Sequence, residues 1–289
     1  MPSYSLDGVP LDHPAGCWRL KKGTQRRPLP GARAVKVSVP GRHGDIPVVG
    51  LDLEATTFGL TFKVTSATPS GADGGYEQME RNLEALSALL GTRHRLMKLR
   101  YQAGNLVRVA DVTINAASEP EVNTGAATAR ITAVVEVPGA LWRDDSESTW
   151  AGAPDQLAQA VTTLAGATGP IVDALLRFTG PAVQLSIGDV ATGGWVLRPG
   201  GLLAGQRLLI DCGRMRAAVV TSDTWDLAAG DDVTGEIDAI GPGSQFRWLH
   251  LTSSVAVADP FSRAVLVSTS ATSTDAPSKV EIRARRAYL

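Results

Sequence analysis

Asp73–Tyr101 reads DGGYEQMERNLEALSALLGTRHRLMKLRY, the one long helical signal in a chain otherwise patterned as strands. Met79, Leu83, Leu86 and Leu90 fall at i, i+4, i+7 and i+11, which places them on one stripe of a helix. Glu77, Glu80, Arg81 and Glu84 occupy the opposite face. Asp73 is the expected N-cap, and early acids suit the positive N-terminal end. Gly91 marks the C-terminal stop. Strand patterns flank the helix, Gly59–Thr65 before it and Leu96–Tyr101 after it. A helix held between strands needs a sheet to cover its apolar stripe, so the unit is strand, helix, strand on a common sheet.

Working outward, the first half supplies further strands. Val35–Val39 alternates, Pro40–Asp45 is turn chemistry, and Ile46–Leu53, Leu106–Asn115 and Ala127–Val137 follow the same pattern. Pro138 ends the last of these. Met1–Arg33 reads as an arm with short strands near Tyr4–Val9 and Trp18–Leu20. Its basic cluster, Lys21, Lys22, Arg26, Arg27 and Arg33, lacks interleaved aromatics and reads as a solvated loop rather than a nucleic-acid platform. Leu141–Thr149 turns polar and acidic, and a boundary is expected there. The expected division is 1–146 as one domain, 147–170 as a linker with a short helix at Pro154–Leu164, and 171–289 as a second domain. The second domain reads as all β, with short strands at Ile171–Phe178, Val183–Ile187, Gly194–Leu197, Gln206–Asp211, Ala217–Thr221, Phe246–Thr252, Arg263–Ser270 and Val280–Tyr288. The expected fold class is mainly β with one or two helices.

Composition narrows the function classes. A formal net charge of −1 over 289 residues gives no general pull toward nucleic acid or an anionic membrane. No apolar run approaches a membrane span, and Asp7 and Asp12 interrupt any N-terminal export signal. Cys17 and Cys212 have no pairing framework, and reduced thiols are expected. His13, His43, His94 and His250 stand apart from one another and from both cysteines, so no metal motif forms. No G-x-S-x-G elbow and no P-loop is present. Gly200–Gly205 precedes a strand rather than a helix, and is read as a turn. Asp144-Asp145 and Asp231-Asp232 are adjacent acids in loops, the second with a weak claim on calcium. No catalytic residue, cofactor or metal is expected, and the chain is not expected to be an enzyme. Among aromatics, Trp248 and Phe246 are expected to point inward. Trp195 and Trp225 follow turns and are expected to be exposed, where their rings can stack a sugar.

A family resemblance emerges from the order of several short patterns. They are Tyr4-x-Leu6-Asp7-Gly8, Trp18-Arg19-Leu20, Val39-Pro40-Gly41-Arg42-His43-Gly44, the helix with Asn82-Leu83-x-x-Leu86-x-x-Leu89-Leu90, and Val137-Pro138-Gly139-Ala140-Leu141-Trp142-Arg143. In the second half come Gly200–Asp211, the Gly241–Gly243 turn before Phe246–Leu251, and the Arg-rich final strand ending Ala287-Tyr288. In this order the chain resembles the distal tail proteins, often labelled minor tail proteins, of bacteriophages with long non-contractile tails, particularly those of actinobacteria. The resemblance implies an N-terminal tail-tube-like domain with one flanking helix and a C-terminal galectin-like sandwich. It also implies a structural virion protein that forms a hexameric ring at the phage tail tip. Implied partners are further copies of itself, the tail tube protein, the tape measure protein and the tail-tip hub or adhesion proteins of the baseplate. Genomic DNA would pass through the lumen without specific binding, no membrane would be involved, and assembly would occur in the host cytoplasm. A carbohydrate-binding adhesin acting through the C-terminal sandwich, with Trp195 and Trp225 as glycan contacts, is the competing expectation.

Overall fold

A computed structural model describes residues 3–22, 24, 27–33, 43, 52–92, 94–242, 244–256, 259–275 and 277–289. The expected strand Val35–Val39, most of the turn after it and Arg26 of the basic cluster lie outside the described residues. The chain is mainly β, with one α-helix among the described residues. It divides into two compact units, Met1–Asp145 with Leu289, and Ser146–Tyr288.

In the first unit the strands are β1 (Ser3–Leu6), β2 (Val9–Pro10), β3 (Trp18–Leu20), β4 (Ala32–Arg33), β5 (Asp52–Leu53), β6 (Thr56–Val64), β7 (Met97–Ala103), β8 (Leu106–Ala117), β9 (Glu121–Asn123), β10 (Thr128–Val137) and β11 (Trp142–Arg143). The helix α1 spans Gly75–Leu90. β4 and β5 pair as a small separate ladder. The main sheet runs β2-β1-β7-β8-β10-β6-β3. β8 makes the corner: its first part pairs with β7 and its last part with β10, where the register shifts between Val134 and Val135. An irregularity of this kind bends a strand and increases its twist, so the sheet curls instead of lying flat.

Helix and sheet meet as the stripe requires. Met79, Leu83, Leu86 and Leu90 are buried, and α1 packs on β6 and β10. Alternation does the rest. Phe58, Leu60, Phe62 and Val64 of β6 and Ile131, Ala133, Val135 and Val137 of β10 are all buried, because successive side chains of a strand point to opposite faces. A second part of the core is aromatic. Trp142 stands 6.5 Å, ring to ring, from each of Tyr4, Phe58 and Tyr101. The helix ends differ in detail from expectation. Gly74, not Asp73, is the N-cap, although Asp73 Oδ1 accepts from the Gly75 N–H at 3.1 Å. Gly91 ends the helix in right-handed geometry, its N–H donating to Ser87 O.

The buried face of α1 also carries a polar residue that periodicity alone leaves out. Asn82 donates through Nδ2 to Thr65 O and Ala67 O, both at 2.8 Å, and accepts at Oδ1 from Gln78 Nε2 at 2.9 Å. These bonds tie the helix to the chain that leaves β6. Asn82→Ala strips both carbonyls of that donor and is expected to lower stability by about 1–3 kcal/mol. Urea unfolding reads this as a lower midpoint at unchanged slope; a midpoint equal to that of the parent would contradict it.

In the second unit the strands are β12 (Ser148–Gly152), β13 (Gln156–Ala160), β14 (Leu175–Thr179), β15 (Val183–Asp189), β16 (Trp195–Arg198), β17 (Arg207–Asp211), β18 (Arg216–Val220), β19 (Asp231–Asp232), β20 (Asp238–Ile240), β21 (Ser253–Ala256), β22 (Asp259–Thr272) and β23 (Lys279–Ala284). One antiparallel sheet runs β12-β23-β14-β17-β18-β19, and another runs β13-β22-β15-β16-β20 with β21 on β22. Three expectations are corrected here. Pro154–Leu164 is not a helix. Gln156–Ala160 pairs with β22, with Ala158 at positive φ, and only Thr162–Leu164 makes a single 3-10 turn. Of the apolar residues at i, i+4 and i+7 in that segment, Val161 and Leu164 are buried and Leu157 is exposed, so they do not share one buried face. Segment 147–170 thus supplies strands to both sheets and is not a linker. Phe246–Thr252 is likewise not a strand. Leu249 and Leu251 are the buried residues there, Phe246 is exposed, and Leu251 makes one isolated bridge to Ile171.

Candidate functional site

The most developed polar architecture lies on one face of the β12-β23-β14-β17-β18-β19 sheet. Register puts Arg177 of β14 beside Glu281 of β23 and Leu209 of β17. Arg177 and Glu281 are both buried. Arg177 Nε donates to Glu281 Oε2 at 2.7 Å, and its NH1 donates to Asp223 Oδ1 at 2.6 Å. Lys279 Nζ reaches the other oxygen of Glu281 at 3.1 Å. Burial opposes charge on both residues. For Arg177 the bonds and attraction of Glu281 and Asp223 overcome it and raise the pKa. For Glu281 those of Arg177 and Lys279 do so and lower it. The pair is therefore ionised at neutral pH.

That network clamps a tryptophan. The Arg177 guanidinium lies over the Trp225 ring, 4.4 Å from its centroid, with Arg283 at 5.8 Å. This is cation–π geometry. Trp225 belongs to the segment 221–230, which crosses the sheet face as a strap after β18. Gly230 anchors the far end: a Cβ there would stand 2.4 Å from Val219 O, a contact only glycine permits. Asp226 Oδ1 accepts from the Ala228 N–H at 3.0 Å and fixes the short turn between.

Strap and sheet enclose a cleft of about 480 Å³. Trp225, Asp226 and Leu227 line it from the strap, and Leu175, Asp211, Arg214, Arg216 and Asp232 from the sheet side. Its polar groups are already oriented. Asp211 Oδ1 accepts from the Arg214 N–H at 2.9 Å. Asp232 Oδ1 accepts from the Thr234 N–H at 2.9 Å, and Oδ2 from Arg216 at 3.0 Å. The Thr234 bonds and Arg216 hold the Asp232 carboxyl down to a pKa of about 2.

The expected site residues separate. Trp225 is half-exposed and lines the cleft. Trp195 is also half-exposed but sits on the other sheet, its indole flat against Gly188, where a Cβ would stand 2.5 Å from the ring. It lines no part of the cleft, so the two do not form one binding platform. Asp231-Asp232 does not present a calcium cage, because Asp232 is spent on Thr234 and Arg216. Asp144 pairs with Arg108 at 3.1 Å and Asp145 with Lys98 at 3.4 Å, so that pair is taken up in ion pairs of the first unit. The His13 ring lies against Trp18, tilted by 59° with centroids 4.7 Å apart. Among the described residues no group of His, Cys, Asp and Glu is arranged to hold a metal ion, and no helix is long and apolar enough to cross a membrane. Cys17 and Cys212 are free and buried, and burial pushes the Cys212 thiol pKa far up. The Arg177–Glu281 pair was not foreseen. Its signal was a single charge in each of two apolar runs, Leu175–Phe178 and Val280–Ile282.

Fold and cleft together define a mainly β protein of two units, with a strap-roofed polar cleft on the second. No family model and no curated protein matches the chain. Two similar solved structures are of the phage P2 baseplate. The baseplate in its activated conformation with Ca is similar at 7% identity and TM-score 0.41, over 99% of this chain and 98% of that chain. The baseplate in its activated conformation with Sr is similar at 8% identity and TM-score 0.42, over 99% of this chain and 98% of that chain.

Proposed function

We propose that this chain is a structural component of a bacteriophage tail tip, closing with copies of itself into a hexameric ring. The ring joins the tail tube to the baseplate and adhesion apparatus, and genomic DNA passes through its lumen. The observation that carries the reading is the open, curled sheet of the first unit. Among the described residues its end strands, β2 and β3, each pair with a single neighbour. An open sheet leaves backbone donors and acceptors along its edges, and a closed ring of identical subunits satisfies each edge with the next copy. Pro10 blunts the β2 edge by removing a donor. On the outer side of β3 the Leu20 N–H already donates to Asp12 Oδ1 and Trp18 O already accepts from the His13 N–H, so a neighbouring copy meets the edge groups that these bonds leave. Most of the contact between subunits therefore falls on the first unit. The order of sequence patterns from Tyr4 to Tyr288 supports the same reading. The chain acts by geometry and not by catalysis, and its partners above and below are the tube, tape measure and hub proteins. Light scattering on the full chain after size-exclusion chromatography tests self-association. A mass near six times that of the single chain is expected; a monomer that persists at high concentration overturns it.

A further inference from the structure

We propose that the cleft beneath the Trp225 strap binds a neutral saccharide ring, independently of whether the chain forms a ring. Size, rigidity and charge lead to that ligand class in turn. A cleft of about 480 Å³ lies within the size range of small-ligand sites. Trp225 is held before any ligand arrives. Arg177 lies on its ring, fixed by Glu281 at 2.7 Å and Asp223 at 2.6 Å. A pre-ordered platform loses less entropy on binding.

The lining charges then select the ligand. Arg214 and Arg216 face Asp211, Asp226 and Asp232. The excess of carboxylates disfavours a phosphate or a carboxylate ligand. A cationic ligand would compete for an aromatic ring that the Arg177 guanidinium already engages. What remains is a neutral molecule with an apolar face for the indole and many hydroxyls at its rim. Each hydroxyl both donates and accepts, so a rim that alternates carboxylates with guanidinium forks suits it. Asp211 and Asp226 each take one backbone N–H at one oxygen, which leaves acceptor capacity directed by the fold, while Asp232 is taken up by Thr234 and Arg216. Arg214 pairs through Nε with Asp211 Oδ2 at 3.8 Å, and the rest of its guanidinium, on a side chain 83% exposed, is the donor offered to a ligand.

The test titrates full-length protein with cellobiose, maltose and lactose, following the indole N–H signals by NMR, with inorganic phosphate as the anionic control. At least one disaccharide is expected to shift the Trp225 signal saturably and phosphate is not. Trp225→Ala and, separately, Arg214→Ala are expected to weaken binding roughly tenfold or more, while Trp195→Ala leaves it unchanged. Arg214 is a solvent-exposed turn residue, so that variant retains its fold even where Trp225→Ala does not. No saturable shift with any of the three sugars overturns the proposal. So do binding that survives Arg214→Ala at full strength, loss of binding in Trp195→Ala, and saturable phosphate binding at Trp225. These readings do not depend on oligomeric state, so their failure is distinct from failure to form a ring.

Discussion

Arg177→Met is expected to lower stability by about 3–5 kcal/mol, the cost of leaving one member of a buried ion pair alone. Glu281 is only 6% exposed, and without Arg177 its carboxylate keeps Lys279 alone, a partner whose side chain is 46% exposed. An exposed lysine contributes roughly 1 kcal/mol at most, too little to offset the burial of the charge. Asp223 tolerates the change because its side chain is 72% exposed and is rehydrated by water. Denaturant unfolding reads the loss. The double variant Arg177→Met with Glu281→Leu is expected to recover most of it, since a matched apolar pair removes the stranded charge. A single variant within about 1 kcal/mol of the parent, or a double variant worse than the single, would contradict the account. The same substitution also removes the clamp on Trp225, so it ties the energetics of the sheet to the shape of the cleft.

Leu86→Ala carries the second large effect. Leu86 is fully buried at the centre of the α1 stripe. Truncation removes transfer energy and leaves a cavity between helix and sheet, together about 2–5 kcal/mol. Glu84, two residues earlier on the exposed face, provides the comparison. Glu84→Ala is expected to change stability by less than about 0.5 kcal/mol. Equal effects at the two positions would mean that α1 does not cover the sheet.

The helix and the strands on either side of it were legible because their periods are unambiguous. Met79, Leu83, Leu86 and Leu90 match a helical stripe, and Gly59–Thr65 and Leu96–Tyr101 lie within β6 and β7 or one residue beyond. The mainly β class followed from short alternating runs between turn residues. Pro154–Leu164 misled because three apolar residues fell at helical spacing, while pairing with β22 decided the structure; tertiary pairing overrides local pattern. Phe246–Thr252 misled for the related reason that alternation was read in a segment whose buried residues, Leu249 and Leu251, are held by one isolated bridge and neighbouring loops. Of the cleft, Trp225 and Asp232 were singled out by the sequence, the latter for calcium and not for the ion pair it makes. The Trp225 partners Arg177, Glu281 and Asp223 lie far apart in sequence and meet through strand register and the strap, which no local pattern encodes.

The central claim is that the first unit presents an open edge that closes on copies of itself. Negative-stain electron microscopy of the purified full-length chain tests it most directly. The account predicts sixfold rings with a central hole; a field of single, unassociated particles at concentrations where the chain remains folded would contradict it.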